Sequence, residues 1–159
     1  MKKIFTLFVL GFLTWNNAQT HRFIYDVQYK KDSTQNILSK ENYHLDVSNG
    51  ETMYYTRDYF TGDPLITGNL PFPKDQKLNT SNVIVHNLGT NNFEDFDLLE
   101  GSVVLKLETT DSQNWKLTQE RKTVGNYKLQ KATTNWGGRQ WTAWFSPEIL
   151  VQAGPYKFH

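Results

Sequence analysis

The chain has no cysteine among its 159 residues. Disulfide bonds, thiolate metal ligands and cysteine nucleophiles are therefore excluded from its chemistry. A lipid anchor of the bacterial lipoprotein kind, which needs an N-terminal cysteine, is excluded for the same reason. Stability has to come from a packed core, and aromatic residues, at 14% of the sequence, supply large apolar side chains for one.

The sequence also lacks the short motifs that mark common active sites. It contains no G-x-S-x-G, no H-E-x-x-H and no phosphate-binding glycine loop. Its 17 basic residues are balanced by 16 acidic ones and form no basic run, which argues against nucleic acid, because phosphate backbones are bound by concentrated positive charge. We predict a protein that is not an enzyme and has no nucleic-acid partner.

One long apolar run is present, over residues 4–15, and two lysines precede it. A short polar segment that ends in a small residue, Ala18, follows this run. This pattern is typical of a secretory signal peptide, and we predict cleavage after residue 18. The alternatives are an uncleaved membrane anchor or a buried strand. We expect residues 19–159 to form a single β-rich domain that does not span a membrane and is exported, to the periplasm, the outer-membrane surface or the medium.

The remaining sequence alternates apolar and polar residues with a period of two, which predicts β-strands. The dipeptide Asn49-Gly50 lies between two such stretches and is a strong hairpin signal, because both residues tolerate a positive φ. Residues 61–80 hold three of the five prolines and predict a long surface loop. We predict a mainly β fold with little helix, built as a single antiparallel, meander-like curved sheet. The expected strands cover residues 23–30, 43–48, 51–60, 82–86, 95–99, 102–108, 115–121, 126–134 and 139–145.

Aromatic side chains lie on both faces of two of the predicted strands. Trp144 points away from Trp141. Tyr54 and Phe60 point to the face opposite Met53, Tyr55 and Tyr59. One interpretation is a sheet whose second face is covered by the long loop or by a flap. The other is a concave sheet whose second face holds an apolar ligand.

The C-terminal part of the sequence carries one resemblance to a known family. Lys131-Ala132-Thr133, Gly138-Arg139, Ala143-Trp144-Phe145 and Gly154-Pro155-Tyr156-Lys157-Phe158 follow one another at fixed spacing. This segment resembles the C-terminal signature of the GLPGLI family of exported Bacteroidetes proteins. The resemblance implies an exported β-rich protein without an assigned biochemical role, similar in pattern to the half-barrel folds of lipoprotein carriers.

In that family the signature continues into the Gly-Leu-Pro-Gly-Leu-Ile motif, whereas this chain ends at His159. We therefore expect the domain to be incomplete at its C-terminus. We also expect a new strand to begin near Tyr156 and to lack a pairing partner.

Several polar residues are candidates for chemistry. Arg139 follows a glycine at a hairpin corner, where its guanidinium is able to clamp a carboxylate or phosphate, or else to pair with an acid and cover a ring. Glu94, Asp95, Asp97 and Glu100 form an acidic cluster, whose simplest interpretation is a solvated strand face. We expect His44 and His86 to be isolated surface histidines.

Cleavage after Ala18 would create a possible metal site at the new N-terminus, Gln19-Thr20-His21. The free amine, two amides and the imidazole supply the four nitrogens that Cu(II) prefers in a square plane. Cyclisation of Gln19 would remove the amine. No other cofactor is expected.

The leading hypothesis is an envelope or periplasmic binding protein for an apolar or amphipathic small molecule. Its candidate ligand-binding residues are Tyr54, Phe60, Arg139 and Trp144. The alternative is a structural or interaction module that docks its aromatic edge onto an envelope protein. No catalytic residues are assigned.

Overall fold

A computed structural model describes residues 20–32, 34–57, 82–99 and 103–159 of the chain. The predicted signal peptide, the predicted loop over 61–80 and Phe60 lie outside these residues. The described part is mainly β, and its strands form two antiparallel sheets that do not close into a barrel. This confirms the predicted fold class. The strands are β1 (His21–Tyr29), β2 (Ser39–Ser48), β3 (Glu51–Thr56), β4 (Val83–Asn87), β5 (Asn92–Leu99), β6 (Val103–Thr110), β7 (Lys116–Val124), β8 (Tyr127–Trp136) and β9 (Arg139–Phe145).

The two sheets are successive meanders. The first has six strands in the order β1-β2-β3-β4-β5-β6, and the second has three in the order β7-β8-β9. A single sheet was expected, but the chain leaves the first one after β6. At that point the backbone N–H of Asp111 bonds the Asn91 carbonyl, and its carboxylate accepts a bond from the Trp136 indole at 2.6 Å. These contacts turn the chain towards the second sheet.

Two of the predicted hairpins are present with the expected turn residues. Asn49 and Gly50 join β2 to β3 with φ values of 53° and 78°. Gly137 and Gly138 join β8 to β9, also with positive φ. Only glycine and a few polar residues adopt this conformation cheaply, so the turns are specified locally. The strand predicted over 51–60 ends earlier, at Thr56.

The core lies on one face of the six-stranded sheet. Leu45, Ile84 and Phe93 are almost fully buried there. The chain after β9, residues 146–159, is called the C-terminal segment. Part of it covers this face, since Val151 and Ala153 pack against the core cluster. The core side chains are thus buried in two ways. They pack against neighbours on adjacent strands, and the C-terminal segment covers them.

The segment from Gly154 to His159 is not a strand. The Gly154 N–H donates to the Phe158 carbonyl at 2.8 Å, and the Phe158 N–H donates to the Pro155 carbonyl. Tyr156 between them has a φ of 59°. The prediction of an unpaired aromatic strand here was wrong, because the segment closes a tight turn whose side chains contact both sheets.

In the part of the chain that the structure describes, no helix is long and apolar enough to cross a membrane.

Candidate functional site

Aromatic rings from three parts of the chain meet where the two sheets adjoin. Phe158 lies 4.9 Å from Trp141, 5.4 Å from Trp136 and 5.9 Å from Trp115, measured between ring centroids. Tyr156 lies 6.1 Å from Trp136. These rings meet at angles of about 60°, the edge-to-face arrangement that aromatic pairs favour. We call Trp115, Trp136, Trp141, Tyr156 and Phe158 the junction cluster.

Hydrogen bonds fix the two indoles at its centre. The Trp136 Nε1 donates to the Asp111 carboxylate, and the Trp141 Nε1 donates to the Trp136 carbonyl at 2.9 Å. A half-buried indole needs such a partner for its N–H. Trp136 is therefore held in one orientation at the end of β8.

A surface recess of about 340 Å³ lies beside Trp136, at the turn between β8 and β9. Arg139 is the cross-strand partner of Trp136 and lines this recess. Its side chain is exposed and forms no ion pair within the described part of the chain. A guanidinium beside an indole is able to bind an anionic group and an apolar group together. The recess is lined by Asn135, Trp136, Gly137, Gly138, Arg139 and Gln140.

Tyr54 does not face away from the core, as the sequence led us to expect. It lies in the core cluster, stacked on Tyr43 at 4.9 Å and edge-on to Tyr25. Burial raises the pKa of its hydroxyl. Tyr54 and Tyr55 are adjacent and face opposite sides of the sheet, and both are buried. The misassignment arose because sequence periodicity does not identify which side carries the core cluster.

Trp144 does lie opposite Trp141, on the other face of the three-stranded sheet. It is half-buried, and the Lys122 Nζ is 4.1 Å from the centroid of its ring. Lys131 is its cross-strand partner on β8. Trp144 and Arg139 are thus on the same strand but on opposite faces, so they cannot contact one small ligand together.

A polar network on the second face of the six-stranded sheet was not anticipated. Arg22 binds Asp46 through two hydrogen bonds of 2.6 and 2.8 Å, and the Tyr55 hydroxyl donates to the same carboxylate at 2.7 Å. Burial disfavours the ionised Asp46, but the bonds from Arg22 and Tyr55 outweigh it and lower the pKa of the carboxyl. Burial and the bond to Asp46 raise the pKa of the Tyr55 hydroxyl. The only signal in the sequence was opposite charge on two facing strands.

Two further expectations about polar residues were wrong. His44 and His86 are buried rather than on the surface, and His86 stacks on Phe93 at 4.3 Å. Asp95 is also buried, whereas Glu94 beside it pairs with Lys106 on the other face. The alternation along β5 therefore divides the acidic cluster between two environments. Glu100 lies outside the described residues.

Two of the predicted copper ligands, Thr20 and His21, lie at the start of β1. His21 is exposed and pairs with Val47, and the Thr20 hydroxyl donates to the Ser48 hydroxyl at 3.3 Å. Gln19 lies outside the described residues. Elsewhere in the described ranges, no three His, Cys, Asp or Glu side chains are grouped closely enough to hold a metal ion.

Comparison with known proteins gives a likeness in fold alone. No family model matches the chain, and no curated protein matches it. A structure of PNGF-II in the C2 space group is similar over 87% of this chain, with a TM-score of 0.58 and 17% identity. A structure of PNGF-II in the P21 space group is similar over 83%, with a TM-score of 0.53 and 16% identity. This chain spans less than a quarter of the length of either.

Proposed function

We propose that the protein is a non-enzymatic binding protein whose ligand is amphipathic and carries an anionic group. The observation that carries this proposal is the cross-strand position of Arg139 beside the fixed indole of Trp136. A guanidinium fork matches the oxygens of a carboxylate or phosphate, and an indole offers an apolar surface next to it. Because Tyr54 lies in the core cluster, we assign ligand binding to this recess and not to the face of the six-stranded sheet.

Export to the periplasm, the outer-membrane surface or the medium belongs to the same proposal, as does membership of the GLPGLI family. Both rest on the sequence, namely the basic and apolar N-terminus and the spacing of residues 131–158.

The proposal is tested by titrating the protein with a long-chain fatty acid and with the corresponding alcohol while following tryptophan fluorescence. We expect the acid to change the tryptophan emission until the recess is saturated, because Trp136 lines the recess. Arg139→Ala should weaken binding of the acid about tenfold or more and leave binding of the alcohol unchanged, since a hydrogen bond to a charged group is worth about 1.5–3 kcal/mol.

Arg57→Ala is the matched control, because Arg57 is an exposed arginine that lies outside the recess. Equal loss of acid binding in both variants, or a fluorescence signal that no ligand changes, would count against the recess as the binding site.

A second candidate function is an interaction module for an envelope protein. Within the residues that the structure covers, β6 pairs only with β5, and its Val104 and Leu107 side chains are 61% and 46% exposed. An edge strand of this kind is able to accept a further strand from a partner. Leu107→Lys should then abolish a complex captured from the envelope without changing fatty-acid binding.

A further inference from the structure

The hairpin between β7 and β8 projects beyond the rest of the three-stranded sheet. The pairing of β9 stops at Phe145, opposite Gln130, and Gln130 also pairs with Arg121. Residues 121–128 therefore run from this last three-stranded level outwards along a ribbon of β7 and β8 alone. All eight of these residues are exposed. The ribbon lies at the opposite end of β8 from the Arg139 recess, about 30 Å away at the usual rise per strand residue. We call residues 121–128 the hairpin tip.

The hairpin tip is positively charged. Arg121, Lys122 and Lys128 lie in it, and it contains no acidic residue. The whole sheet, residues 116–145, has six basic residues and one acidic residue, Glu120. The Glu120 carboxylate is already bound by Lys131 at 2.7 Å. The charge balance of the complete chain hides this local excess.

The hairpin tip also exposes apolar side chains. Val124 and Tyr127 are cross-strand partners on either side of the Gly125-Asn126 turn, and they are 54% and 49% exposed. Behind them on the same face, Trp144 lies beneath the ammonium of Lys122. Apolar side chains are therefore at the outermost point, with cations around them.

We propose that the hairpin tip docks on the surface of an anionic lipid bilayer. The exposed end of a two-stranded ribbon, with apolar side chains outermost and cations around them, suits the boundary between lipid headgroups and hydrocarbon. Val124 and the ring of Tyr127 enter that boundary, where aromatic side chains are favoured. Arg121, Lys122 and Lys128 then lie at the level of the lipid phosphates, where each cation strengthens binding about fivefold.

Sedimentation of residues 19–159, the protein without its predicted apolar signal peptide, with vesicles tests this proposal. One set of vesicles contains phosphatidylcholine alone, and the other contains equal parts of phosphatidylcholine and phosphatidylglycerol. We expect binding to the anionic vesicles that weakens as salt is added. The combined change Arg121→Gln, Lys122→Gln and Lys128→Gln should reduce that binding about a hundredfold.

The matched control changes three exposed lysines away from the tip, Lys30→Gln, Lys40→Gln and Lys116→Gln, so that both variants have the same net charge. It should keep most of the binding. Tyr127→Trp reports insertion, because the difference between its emission and that of the unmodified protein should shift to the blue with anionic vesicles only. All substituted residues are exposed, so circular dichroism should stay unchanged.

Three results would overturn the proposal. The first is no sedimentation with anionic vesicles. The second is equal loss of binding in the tip and control variants, which would show attraction by net charge alone. The third is binding with no shift in Tyr127→Trp emission, which would favour an acidic protein or another polyanion as the partner of this surface.

Discussion

The ammonium of Lys157 lies 2.7 Å from the Asp95 carboxylate, and the two side chains are only 9% and 8% exposed. The same ammonium donates to the Thr109 hydroxyl at 2.9 Å. Lys157 belongs to the C-terminal segment, whereas Asp95 and Thr109 belong to β5 and β6. This buried ion pair thus attaches the C-terminal segment to the six-stranded sheet.

Removing the cation from this pair should destabilise the fold. Lys157→Met leaves the Asp95 carboxylate buried without its partner, which costs about 3–5 kcal/mol in other proteins. Urea denaturation followed by circular dichroism measures the loss. Lys106→Met is the control, because Lys106 forms exposed ion pairs and should contribute little. If the two variants unfold at the same urea concentration, the buried pair does not hold the segment.

The turn at Gly154 should not accept a side chain. A Cβ at this position would lie 2.8 Å from the carbonyl oxygen of Phe158, which is backbone and cannot move aside cheaply. Gly154→Ala should therefore lower stability by about 1–3 kcal/mol, the usual cost of overpacking. The near-ultraviolet circular dichroism of the tryptophans should weaken too, because Phe158 packs on Trp136 and Trp141. Ser112→Ala, at an exposed site, should change neither quantity.

Stability should fall as the pH drops below about 6.5, in part through His44. Burial, followed by the positive charge of Arg22, lowers the pKa of His44 from its ordinary value of 6.5. The unfolded chain therefore takes up a proton at a higher pH than the folded chain does, which favours unfolding as the pH falls. Urea denaturation at about pH 7.5 and about pH 5 should give a smaller difference for His44→Gln than for the unmodified protein. An unchanged pH dependence would assign the effect to other groups.

Copper binding at the mature N-terminus can be tested directly. If the chain is cleaved after Ala18, titration with Cu(II) should produce the visible absorption of a four-nitrogen square-planar site. His21→Ala should abolish it, and mass spectrometry should verify that Gln19 is uncyclised. His21 is the first residue of β1, so the backbone amides that would bind copper lie at the end of the strand and not in its middle. Indistinguishable spectra for the two proteins would exclude the site.

Much of the secondary structure follows from the sequence alone. The sequence predicts the nine strands that the described residues contain, and the turns at Gly50 and Gly138 fall where glycine provides positive φ. Boundaries were less accurate at β2, which begins at Ser39, and at β3, which ends at Thr56. Hairpin topology was predictable because consecutive strands joined by short turns pair with each other.

The candidate site was predicted only in part. Arg139 was identified from its position beside a two-glycine turn, and it does line a recess with Trp136. The place of Tyr54 in the core cluster was not predictable, because alternation gives two faces without saying which one carries that cluster, and Tyr55 on the other face is buried too. The junction cluster was missed for a related reason, since it joins residues 115, 136, 141, 156 and 158 through packing between separate elements.

The sequence by itself determined what is local in this protein, namely the strands, their turns and the absence of cysteine chemistry. These depend on side-chain alternation and on backbone preferences within a few residues. The tertiary structure alone decided that the strands divide into two sheets and that Asp95 and His86 are buried. Burial is set by contacts between residues far apart in the chain, such as Lys157 with Asp95, and no local pattern encodes such a contact.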